Sequence, residues 1–272
     1  MSPCINTVEQ YHEWLAPHLR AWARHGIHFG VSCTWRSLHR YTAYIRTACV
    51  EGVPSGGIAV PLDLDLVVAM SCDVMCYRYP HRHQDVVKRG ERNPEFMDAA
   101  VLRNRFLPIV RAARPDDVQV VLLPVAPIYA TEHVSITAFL DLLNRCLETL
   151  PADYRYAVEI SNPRYLLPEY FDCLCKRHVT HVLNNCPPSA GLLEQIQLPH
   201  VLTTDVVVAR VDAIDPETQL GIIETVRRCL DEKKTMYLYL HDDGDVLVSL
   251  AGLMDLLNPD LATLSPLRNK AA

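Results

Sequence analysis

Residues Tyr156–Asn185 read YAVEISNPRYLLPEYFDCLCKRHVTHVLNN, and this stretch decides the fold. Tyr156–Ile160 is a short apolar run interrupted only by Glu159, the pattern of a strand buried on both faces. Asn162-Pro163 then sets a capping side chain ahead of a proline suited to a first helical turn. Pro168 restarts the helix, with Tyr170, Phe171 and Leu174 on one apolar stripe. Val179–Asn184 is strand-like again, so the stretch is one β-α-β unit, and a unit of that kind implies parallel pairing.

The same rhythm extends in both directions. Upstream, Val118–Leu123 (VQVVLL) is a continuous apolar strand, followed by Ile136, Phe139, Leu140, Leu143 and Leu147 at helical spacing. Downstream, Val206–Val211 is a strand. Asp215-Pro216-Glu217 starts the next helix with a capping acid, a proline and a charge matched to the helix dipole. Met236–Leu240 is the last strand, with a helix around Leu250, Leu253 and Leu257 after it. In the first half, Ile27–Cys33 and Leu66–Ser71 read as strands, Ile58–Val60 as a weaker one, and residues 8–25 as an N-terminal helix. Eight strands alternating with helices point to a single-domain (β/α)8 TIM-like barrel over residues 1–272. An open doubly wound sheet is the runner-up, weakened because no Gly-x-Gly-x-x-Gly follows any strand.

Composition fits an ordinary globular chain: 272 residues, 49% apolar, 21% charged. The net charge of −6 argues against a whole-surface role on nucleic acid or anionic membrane. No apolar stretch is long enough to span a bilayer. The opening Met1–Thr7 has no basic segment leading into an apolar one, so a cytoplasmic setting is expected, with the ten cysteines as free thiols. The pairs Cys72/Cys76 and Cys173/Cys175 lack the spacing of a zinc site.

Several stretches are similar to the DUF72 (YecE-like) family. Tyr156–Asn185 resembles that family's strand ending in Val-Glu, its Asn/Arg-containing turn, and its next strand closing in Leu-Asn. Tyr79–Asp98 (YPHRHQDVVKRGERNPEFMD) resembles a basic loop ending in Asn-Pro-x-Phe. Val31–Trp35 stands where the family has Thr-Ser-Gly-Trp, with Cys33 in place of the glycine. Val208-Ala209-Arg210 resembles the Arg-bearing seventh strand. The resemblance implies a closed or nearly closed α/β barrel and does not name a reaction.

Strand ends then nominate the site, because barrel enzymes build theirs at the C-terminal mouth. Glu159, an acid in an apolar strand, must be paired or functional; Arg210 is the partner if it is paired, and general acid/base chemistry the role if it is functional. Asn184 and Asn162 can orient a substrate or hold turns. Trp35 packs the mouth or stacks on a ligand. The loop over about 77–93 carries Arg78, Arg82, Lys88, Arg89 and Arg92, with His81 and His83, against Asp85 and Glu91. It is either a solvated loop or an anion clamp built on Arg82, His83 and Arg89. At the exit of the last strand, alternation points either His241 and Asp243 together or Asp242 alone into the mouth, where the segment shapes the pocket, with His241 as a second catalytic candidate. His181 reads as a satisfied core histidine.

The reading is an enzyme acting on a small polar anion by acid/base chemistry, whether hydrolysis, elimination or isomerisation. No cofactor is expected. A divalent-metal-dependent hydrolase or isomerase, with the donors of the His241–Asp245 turn, is one alternative. A non-catalytic barrel binding a ligand or nucleic acid through the basic loop is the other.

Overall fold

Seven parallel strands form the frame: β1 Ile27–Thr34, β2 Asp65–Ala69, β3 Val118–Val125, β4 Tyr156–Ile160, β5 Thr180–Asn184, β6 Val206–Val211 and β7 Thr235–Leu240. The structure, a computed structural model, describes residues 24–34, 65–70, 72–81, 85–112, 118–211, 214–240 and 257. Each strand pairs with the next in sequence, and β7 returns to pair with β1 through Ile27↔Met236 to Val31↔Leu240. The described strands therefore close into a parallel barrel. Among the described residues the ring contains seven strands, where eight are expected. β1 pairs directly with β2 from Gly30↔Asp65 to Thr34↔Ala69, so no further strand enters between them, and the weak strand expected at Ile58–Val60 lies outside the described residues. So do the candidates Trp35, Arg82, His83, His241 and Asp243, and all of the helix expected over 8–25 except Arg24 and His25, which lie in a turn.

Alternation along each strand makes two cores. Val120, Leu122, Ala157, Val182, Val206, Val208, Tyr237 and Tyr239 fill the barrel interior. Their neighbours Val121, Leu123, Val158, Ile160, Leu183, Val207, Ala209, Val211 and Leu238 face outward into the helical layer. This is why β6, VVVARV, is apolar at nearly every position: both of its faces are covered.

The outer layer comprises α1 Cys72–Met75; a continuous helix α2 made of Ala99–Val101, a π-helical Leu102–Phe106 and Leu107–Ala112; α3 Ile136–Glu148; α4 Pro168–Lys176; α5 Leu192–Ile196; and α6 Pro216–Asp231. The capping signals act as their chemistry dictates. Asp215 accepts a hydrogen bond from the Thr218 amide at 2.7 Å, and Ser135 accepts from that of Ala138 at 3.1 Å. The Thr218 amide, and after it the Thr218 hydroxyl, holds the Asp215 carboxyl below its usual range. Neither α2 nor the short α5 is anticipated from periodicity, α5 because a single turn cannot display a 3.6-residue repeat.

The basic segment after α1 is a hydrogen-bonded hairpin. Tyr79 N donates to Glu91 O, Gly90 N to Tyr79 O, and Asn93 N to Tyr77 O, at 2.9–3.0 Å. Lys88 lies over the Tyr79 ring and Arg92 over the Tyr77 ring, each about 5.3 Å from the centroid. Among the described residues no helix is long and apolar enough to cross a membrane.

Candidate active site at the C-terminal mouth of the barrel

Three consecutive strands, β4, β5 and β6, deliver a polar residue each to the interior face at their C-terminal ends: Glu159, Asn184 and Arg210. Parallel register sets Asn184 beside Arg210, and Arg210 beside Tyr239 of β7. Glu159 is next to last on β4, level with Pro124 of β3. All four side chains belong to the set that alternates with the outward-facing apolar residues.

Glu159 is buried, and its Oε2 accepts from Arg210 Nη1 at 2.9 Å. Arg210 keeps 19% of its side-chain surface exposed against 4% for Glu159, so Arg210 is the more exposed member of the pair. On the other carboxylate oxygen, the Cys186 thiol donates to Oε1 at 3.7 Å. Thiol and guanidinium thus flank one carboxylate. An ion pair taken this far out of water costs several kcal/mol in desolvation, which its mutual attraction only partly returns.

Asn184 organises the loop that carries Cys186. Its Nδ2 donates to the carbonyls of Ile160 (3.3 Å) and Val182 (3.4 Å), and its Oδ1 accepts from Cys186 N at 3.2 Å. Gln195, wholly buried on α5, accepts from Asn184 N at 3.3 Å and donates to the carbonyls of Asn184 and Ala190. The β5 exit is consequently tied down by side chains from its own end and from α5.

Asn162, expected to cap the turn after β4, caps nothing. Its amide instead accepts from Ile128 N (2.8 Å) and donates to Ile128 O (3.1 Å), clamping the loop after β3 to the loop after β4. Next to it, Glu132 accepts from Arg78 Nε at 3.2 Å and from Tyr129 N at 3.1 Å, which fastens the basic hairpin to the β3 loop. Arg89, another candidate, is exposed on that hairpin, where it ends the 3-10 turn Val86–Lys88.

The chain is similar in structure to a DUF72 family protein from Thermotoga maritima, at 15% identity over 87% of either chain and a TM-score of 0.49. It is similar likewise to one from Enterococcus faecalis V583, at 13% identity over 85% of this chain and 97% of that one, also with a TM-score of 0.49. These structural neighbours are DUF72 family proteins. A type I 3-dehydroquinate dehydratase from Clostridium difficile is similar at 11% identity over 84% of this chain and 91% of that one, with a TM-score of 0.37. No family model and no curated protein matches the chain. Its chemistry has to be read from the residues at the mouth.

Cys186 and Gln195 are the site residues that sequence reasoning passed over. Cys186 follows Asn184-Asn185 directly, so its place just beyond a strand end was a usable signal, masked by nine other cysteines. His181 points the other way, into the helical layer. Its Nδ1 meets Tyr170 Oη at 3.1 Å, and full burial pushes its pKa down to about 3 against the opposing effect of Gln195. The histidine expected in the core lies there.

Proposed function

We propose that this chain is an acid/base enzyme for a small anionic metabolite, working at the C-terminal mouth of a closed parallel α/β barrel in a cytoplasmic setting. The observation that carries this is the lumen-facing Glu159–Arg210 pair, with a buried carboxylate and a more exposed arginine. Arginine's planar fork suits carboxylate or phosphate. An anion arriving on Arg210 weakens that residue's hold on Glu159, and a carboxylate released inside an apolar lumen becomes a stronger base. Glu159 then takes a proton from the bound substrate, with Asn184 fixing the loop above it. Elimination and isomerisation begin with such a step, and in hydrolysis the same base takes its proton from the attacking water.

Among the described residues no group of three or more His, Cys, Asp or Glu side chains could hold a metal ion. The donors of the metal-dependent alternative, His241 and Asp243, lie outside those residues. The non-catalytic alternative is favoured by one feature, the exposed cations Lys88, Arg89 and Arg92 on the hairpin. Affinity for a single-stranded oligonucleotide that falls steeply with salt would support it.

The test uses malonate and inorganic phosphate as probes, then a panel of small carboxylates and phosphate esters as substrates. A bound anion at a hundredfold excess over its Kd stabilises the fold by about 2.7 kcal/mol, which reads out as a rise in Tm. Turnover of a panel member should fall ~10²–10⁴-fold in Glu159→Gln. No anion-dependent rise in Tm and no turnover from any panel member would overturn the reading.

A further inference from the structure

The thiol at the mouth adds a reactive group that the acid/base reading does not use. Cys186 is half-buried, its amide is fixed by Asn184 Oδ1, and its Sγ faces Glu159 Oε1 at 3.7 Å. On the same carboxylate, Oε2 takes Arg210 Nη1 at 2.9 Å. A thiol, a proton acceptor and an anion-binding guanidinium are thereby gathered within the span of one carboxylate. The cysteines on α4 are placed differently: Cys173 faces the neutral Asn144 Oδ1 at 4.0 Å, with Arg177 on the same oxygen, and burial raises the pKa of both Cys173 and Cys175, partly offset by nearby cations.

We propose that Cys186 is a further catalytic residue of this site, a nucleophile aimed at the carbon next to the carboxylate of a small acid held on Arg210. The proposal rests on the anion-binding reading given above and narrows its substrate class to short carboxylic acids with an electrophilic carbon beside the acid group. In the bond-forming step the sulfur lone pair attacks that carbon. The leaving group departs with its bonding electrons, and the thiol proton passes to Glu159 Oε1, the oxygen it already faces. A thiolate is the effective nucleophile, so a proton acceptor in hydrogen-bond reach is the feature that sets Cys186 apart.

Iodoacetate is a minimal substrate mimic for this step: sulfur displaces iodide and a carboxymethyl thioether results. Iodoacetamide is its neutral counterpart, and ordinary solvent-facing thiols do not favour the anion. Alkylation of the folded full-length protein, followed by peptide mass mapping, gives the rate of each reagent at Cys186, with Cys173 and Cys175 as internal controls. The expected result is a preference for iodoacetate at Cys186, about tenfold relative to the controls, equivalent to about 1.4 kcal/mol of extra attraction. Malonate should abolish it in the wild-type protein, which requires no variant, and Arg210→Lys should reduce it. A Cys186 that reacts like the controls, or with neither reagent, overturns the proposal. If malonate still raises the Tm in that case, the anion-binding reading stands without the nucleophile; if malonate has no effect either, both fall.

Discussion

Glu159 on β4 and Arg210 on β6 stand two strands apart, yet Oε2 and Nη1 meet at 2.9 Å in front of the strand between them. The pair is unequal in burial, and that inequality is measurable. Arg210→Met leaves a carboxylate with almost no solvent access and should destabilise the protein by about 3 kcal/mol, the low end of the cost of stranding a buried charge. Glu159→Gln leaves the more exposed member of the pair and should cost less. The double variant should recover most of the Arg210→Met loss. Urea unfolding of the three variants checks the order; equal losses from both single changes would contradict it.

His181 gives a dependence on pH with a definite sign. Its pKa is held near 3 in the folded protein by burial, whereas an unfolded chain's histidine titrates near 6.5. Between those values the unfolded state binds a proton that the folded state refuses. Stability from this residue is therefore complete above about pH 6.5 and declines as pH falls towards 3, by up to about 1.4 kcal/mol per unit. Tm measured from pH 7 to pH 4.5 should fall, and His181→Phe should flatten that fall.

Gly221 sits inside α6, where alanine would ordinarily help a helix by up to about 1 kcal/mol. Here a Cβ would lie 2.6 Å from that of Leu192 and 2.8 Å from the Leu193 backbone nitrogen. The obstacle includes backbone on α5, so α5 and α6 must separate. Gly221→Ala should lower stability by ~1–2 kcal/mol despite its better helix propensity. Because α5 carries Gln195, the same variant should loosen the β5 exit, visible as faster amide exchange at Asn184 and Cys186.

The hairpin is fastened through Glu132, whose side chain is 5% exposed while its partner Arg78 is 45% exposed. Glu132→Ala removes the acceptor for both Arg78 and the Tyr129 amide. Losing about 1–2 kcal/mol of local closure should speed trypsin cleavage after Lys88 or Arg89 about tenfold. Global unfolding should hardly move, since the loss is confined to the attachment of one hairpin.

Strand and helix positions in the second half were legible from the sequence because burial on both faces writes continuous apolar runs, and because caps such as Asp215 use local chemistry. The expected strands at Tyr156–Ile160 and Val206–Val211 match β4 and β6 residue for residue. Glu159, Asn184 and Arg210 were legible for a related reason: a polar side chain in an apolar strand announces itself. What the sequence could not carry was anything that depends on closure. Whether seven or eight strands complete a ring is decided by stagger and register between distant segments, and no local pattern encodes it. Asn162 shows the same limit, since a side chain placed to cap its own turn found a better pair of partners on Ile128, 34 residues earlier. Cys186 shows it most directly. Its place just past a strand end hints at the mouth, but its partner becomes visible only when the barrel brings β4 alongside β5 and sets Glu159 against its sulfur.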